Sequence, residues 1–64
     1  MMERKVAEMT VIEFMEQRDK MTIGRKVRII ESATGKYIGG AYVNADRHIC
    51  RVKVTTKIIF IFVD

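Results

Sequence analysis

The sequence predicts an α+β domain, in which an N-terminal helix packs on a four-stranded antiparallel meander that could curl toward a small barrel. Three observations predict it. Residues 9–14, Met-Thr-Val-Ile-Glu-Phe, read as a complete helix start. Everything beyond Gly24 falls into short β-rich runs separated by turn residues. The chain of 64 residues is long enough for one domain only.

The helix start follows from local chemistry. Thr10 is placed as N-cap, its hydroxyl able to accept from the backbone N–H of the third helical position. Glu13 stands at that position and can reach back to the N–H of Thr10, which closes a capping box. Met9 and Phe14 flank the cap with the spacing of a hydrophobic staple. Val11, Phe14, Met15 and Arg18 then follow the i, i+3, i+4, i+7 pattern to about residue 20, and Ile12 widens the apolar stripe. Residues 1–8 form a separate N-terminal extension, either a loose tail or a short helical turn. The domain proper is 9–64.

Four strands are predicted after the helix, at 26–31, 36–43, 48–55 and 58–63. Ser32-Ala33-Thr34-Gly35 is a hairpin connection, with Gly35 suited to the left-handed residue of a type I turn followed by a bulge. Gly39-Gly40 marks a bulge or bend in the second strand. Residues 44–47 and 55–57 have turn composition. In the third strand, His48, Cys50, Val52 and Val54 alternate with Arg51, Lys53 and Thr55, as in a sheet covered on one side. The last strand is apolar on both faces, which suits a central position. One helix cannot cover both faces of such a sheet, so either the sheet curls into a barrel or a second molecule covers it.

A domain this small seldom gains more than about 3–5 kcal/mol of net stability from its core. The usual staples are missing. One Cys makes no internal disulfide, and one His with one Cys does not complete a structural zinc site. His48 and Cys50 would share a strand face, but Cys50 reads better as a small buried apolar residue and His48 as a strand-end residue. No metal and no cofactor is expected. Oligomerisation is the remaining remedy. Ile58, Phe60 and Phe62 share one face of the last strand and are the expected interface of a homodimer or of a complex with a partner protein, with Phe60 and Phe62 as anchors.

The net charge of +4 is unevenly placed. Residues 1–20 carry five acids against four bases, whereas residues 21–64 carry eight bases against three acids. The sheet half is therefore basic, which favours acidic partners such as nucleic acid or an acidic protein surface. Within it, Lys26, Arg28, Arg51 and Lys53 alternate with apolar positions and could share one solvent face. Beside Tyr37 or Tyr42, they would make a basic and aromatic platform of the kind that holds single-stranded nucleic acid. The simpler reading is a charged face that keeps the sheet soluble and blocks strand pairing.

No catalytic residues are assigned, and an enzyme is not expected. Ser32, Asp46 and His48 are the candidate triad members, and Asp46 stands in a turn, where Asp serves as a backbone cap far more often than as a catalyst. The Gly35-Lys36 and Gly39-Gly40 pairs do not match a phosphate-binding loop and precede no helix. The longest apolar run, 58–63, is far short of the ~20 residues of a membrane span. With a single unpaired Cys and no signal-like start, a cytoplasmic location without membrane association is expected.

Met9-Thr10-Val11-x-Glu13-Phe14, then Lys26-Val27-Arg28-Ile29-Ile30-Glu31, then Thr34-Gly35-Lys36 and a final apolar strand resemble a class of short phage and prophage proteins. Members share a Thr-Val-x-Glu-Phe helix start and a β-hairpin with Thr-Gly at its tip. This chain differs in its basic charge. The resemblance implies a mobile-element accessory protein and carries over no site residues. The function expected first is thus a small, phage-encoded binding protein that regulates or inhibits a host partner. The alternative is a small nucleic-acid-binding β module that uses its basic sheet face.

Overall fold

In the computed structural model, residues 9–64 are described. The capping box forms as the sequence implies. Glu13 N donates to Thr10 Oγ1 at 3.4 Å, and Thr10 N donates to Glu13 Oε1 at 3.1 Å. Met9 and Phe14 are both buried in the core. Two further N–H groups of this helix start find partners in the distant 44–47 turn: Val11 N donates to Arg47 O at 2.9 Å and Ile12 N to Ala45 O at 3.1 Å. The cap therefore seats the helix on the rest of the chain as well as starting it. Replacing Thr10 by Ala is expected to lower stability by about 1 kcal/mol, read as an earlier midpoint in a urea melt.

The helical region reaches slightly beyond the predicted end at about residue 20, but it is divided, and its first helix is shorter than predicted. Helix α1 spans Val11–Gln17, and a single turn, α2, spans Asp19–Thr22. Arg18 between them leaves helical geometry with φ −119° and ψ 34°. Asp19 restarts the chain, its Oδ1 accepting from Lys20 N at 2.8 Å. Short polar side chains compete with the helix for backbone groups in this way, which is why Asp favours helix starts over interiors. Arg25 then ties the end of α2 to the sheet, donating from Nη1 to Met21 O at 2.6 Å and from Nε to Thr55 O at 3.0 Å.

Three strands follow: β1 at Lys26–Glu31, β2 at Ile49–Val54 and β3 at Ile58–Val63. They make a mixed sheet in the order β1-β3-β2. β3 pairs in parallel with β1 and antiparallel with β2. This corrects the predicted architecture, because the sheet is neither four-stranded nor an antiparallel meander, and it does not close into a barrel. Nor does the helix open the chain, since residues 1–8 precede it; the expectation for them lies outside the described residues.

The missing strand is the predicted one at 36–43. Only its first residues run beside β1: Glu31 N donates to Lys36 O at 2.8 Å, Ile38 N to Ile29 O at 2.9 Å and Ile29 N to Gly39 O at 3.1 Å. Gly39 then takes φ 112°, a conformation essentially reserved for glycine, and the chain leaves the ladder. The buried Asn44 side chain replaces the ladder, its Nδ2 donating to Ile38 O at 3.1 Å and to Gly40 O at 3.0 Å. Substituting Asn44 by Ala would strand these carbonyls. The expected cost is about 1–3 kcal/mol, measurable as a lowered denaturation midpoint.

The core lies on one side of the sheet. Ile29, Ile49, Ile59, Ile61 and Val63 are buried there with Met9, Val11, Phe14 and Ala41. β3 occupies the centre, as a strand apolar on both faces should. The outer edge of β1 is sheltered by residues 36–39. The edge of β2 is blunted by a bulge at Cys50, where the register slips between Ile49 and Arg51. The bulge also corrects two expectations. Cys50 is exposed, not buried, and the slip takes it out of strict alternation with Val52.

Candidate nucleic-acid interface

The strand registers decide what the other face of the sheet presents. Paired residues project to the same side, and Ile29, Ile59 and Ile61 project inward. Their neighbours must then project outward. Across the outer face, Arg51 pairs with Phe62, which pairs with Ile30; Lys53 pairs with Phe60, which pairs with Arg28; and Ile58 pairs with Lys26. The result is a central row of Ile58, Phe60 and Phe62 with Lys26 and Arg28 along one side and Arg51 and Lys53 along the other.

Two groups of residues that the sequence suggests for different purposes thus lie on one surface. The four cations are exposed, and the three apolar residues between them are half-buried. Long cationic side chains commonly lay their stems over apolar neighbours while the charged head stays in water. Here the Arg51 guanidinium stands 4.1 Å from the centre of the Phe62 ring, a cation–π distance.

Tyr37 joins the same surface. It forms an isolated antiparallel bridge with Ile30, and the Arg28 guanidinium lies 5.5 Å from the centre of its ring. Tyr42 does not take part. It is 81% exposed in the turn at 41–46, near the helix start. Pattern reading undervalued the aromatic content of this face because it sought stacking rings only among tyrosines. The signal was present in Phe60 and Phe62, whose spacing matches that of Arg51 and Lys53.

A shallow, open cleft of about 270 Å³ lies on this surface, lined by Ile30, Gly35, Lys53, Phe60 and Phe62. It lies just below the ~300–1,000 Å³ usual for small-molecule pockets. The hairpin tip supplies one wall: Gly35 N donates to Glu31 O at 2.7 Å, and Gly35 takes φ 73°, as its place in the predicted turn requires.

Cys50 stands at the edge of β2. Its Sγ donates to Asp64 Oδ1 at 2.8 Å. That hydrogen bond, with the charge of the same carboxylate, raises the thiol above its ordinary range. A raised thiol carries little thiolate at neutral pH, the opposite of what a reactive cysteine needs. Among the described residues no helix is long and apolar enough to cross a membrane.

No protein-family model, curated protein or solved structure matches the chain. The functional reading therefore rests on the outer face of the sheet.

Proposed function

We propose that this protein binds single-stranded nucleic acid on the outer face of its sheet, in a cytoplasmic setting where such strands are available. The observation that carries the reading is the row of Phe60 and Phe62 flanked on both sides by Arg28, Arg51 and Lys53 in register. Cations spaced along a surface track a phosphate backbone, and rings between them offer stacking faces to unpaired bases. A duplex hides its bases and uses only the charges.

The same geometry argues against the homodimer as the occupant of this face. An isologous dimer places one patch against its own copy. It would set Lys26, Arg28, Arg51 and Lys53 of one chain against the same four cations of the other, at a cost in like-charge repulsion. An acidic occupant gains where a second copy loses.

Fluorescence anisotropy with a labelled oligothymidylate tests the reading. Binding is expected at low salt, with log K falling linearly as log salt rises and a slope of about −0.7 per phosphate neutralised. An unlabelled single strand should compete better than a duplex of equal charge. Equal competition by heparin, duplex and single strand would reduce the face to a general polyanion surface, and failure to bind at low salt would remove the reading.

A further inference from the structure

The three rings on the outer face are not equivalent. The Phe62 ring carries the Arg51 guanidinium at 4.1 Å, and the Tyr37 ring faces the Arg28 guanidinium at 5.5 Å. Among the described residues, Phe60 has no cation placed over its ring. Phe60 also lies at the middle rung of the sheet, between Arg28 and Lys53, and it lines the open cleft with Phe62, Ile30, Gly35 and Lys53. The ring that carries no cation therefore lines the cleft.

We infer that this cleft accepts one unpaired nucleobase, stacked on Phe60, so that each chain reads a single base while the surrounding cations hold the flanking phosphates. The inference rests on the nucleic-acid reading above and narrows it. A shallow, open volume of about 270 Å³ has room for one planar ring system with its sugar outside. The hairpin tip at Gly35 bounds the cleft at one side. Lys53 bounds it at another, and its ammonium, a donor with no acceptor capacity, would bond the adjoining phosphate or an acceptor on the base edge. A second base would have to displace Arg51 from Phe62 or Arg28 from Tyr37, giving up a cation–π contact for a stack.

A series of labelled octamers separates this inference from its parent reading. Their deoxyribose-phosphate backbone would carry no base, one central thymine, two adjacent thymines, or eight. The abasic octamer should bind weakly and with steep salt dependence, through charge alone. One thymine should raise affinity by roughly 5- to 150-fold, the gain one base–aromatic stack supports. The second thymine should add only the statistical gain of a second equivalent register. Phe60→Leu, which keeps apolar bulk and removes the ring, should return the one-thymine octamer to the abasic level without changing the salt slope. Phe62→Leu should keep the greater part of the gain, because its ring is already occupied by Arg51. A second base worth as much as the first would overturn the one-base site. So would a first-base gain that survives in Phe60→Leu, or equal binding of abasic and base-bearing octamers. In those cases the charged face would still bind nucleic acid, whereas failure of every octamer to bind at low salt would overturn the parent reading itself.

Discussion

Replacing Ile61 by Ala is expected to cost about 2–5 kcal/mol, the range for removing most of a buried aliphatic side chain. Ile61 is fully buried at the middle of the central strand, paired with Ile29 on one side and Val52 on the other. Because β3 lies between β1 and β2, a cavity there loosens contact with both neighbours. The net stability of a domain this size is itself about 3–5 kcal/mol, so the variant should be largely unfolded at 37 °C. For a domain of this length each 1 kcal/mol moves Tm by about 4–8 °C, and circular-dichroism melting should show a fall of tens of degrees or no cooperative transition. A loss no larger than that of Thr10→Ala would mean that β3 does not hold the core.

Reversing Arg51 and Lys53 to Glu is expected to abolish nucleic-acid binding while the fold survives. Both side chains are exposed, so surface substitution alone should leave stability within about 0.5 kcal/mol, apart from the loss of the Arg51–Phe62 contact. The effect on binding is far larger. Two favourable phosphate contacts become two repulsive ones, on the side of the face where Lys53 borders the cleft. Arg28 and Lys26 would remain on the opposite side, so the reversed protein also tests whether both flanks are needed. Full-strength binding by a folded R51E/K53E protein would place the ligand elsewhere. Matching Tm values for the two proteins would establish that the loss is not one of folding.

The legible parts of this molecule are those decided by neighbours in sequence. The cap at Thr10 and Glu13 is chemistry within one helical turn, and it forms where the residues place it. The first and last predicted strands, 26–31 and 58–63, coincide with β1 and β3. The turn between β2 and β3 closes through Thr55, whose Oγ1 accepts from Ile58 N at 2.9 Å. The strand expected at 36–43 breaks at the Gly39-Gly40 pair, where the sequence marks a bulge or bend, but the capture of its carbonyls by Asn44 is not visible in composition. Its apolar residues suit a strand, but Gly39 turns the backbone away, and Asn44 bonds the carbonyls that a ladder would have used.

The pairing of β1 with β3 is the decisive long-range event. No local pattern distinguishes a parallel neighbour brought from far along the chain from an antiparallel one made by a hairpin. Even so, it is this pairing that gives the candidate site its form. Without it, Lys26 and Arg28 on one strand and Ile58, Phe60 and Phe62 on another have no stated relation, and they read as a charged face and a sticky face. With the register Lys26 to Ile58, Arg28 to Phe60 and Ile30 to Phe62, they become one surface. The alternation of Arg51 with Val52 and Lys53 with Val54 was visible, although the bulge at Cys50 was not.

Backbone NMR of the isotope-labelled protein titrated with a short oligothymidylate tests the central claim most directly. The amides of Lys26, Arg28, Arg51, Lys53, Phe60 and Phe62 should shift together and saturate at one ligand per chain, while those of Val11, Phe14 and the 41–46 turn stay in place. Shifts confined to the helix or to that turn, or a spectrum unmoved at low salt, would contradict the assignment of the outer sheet face as a nucleic-acid interface.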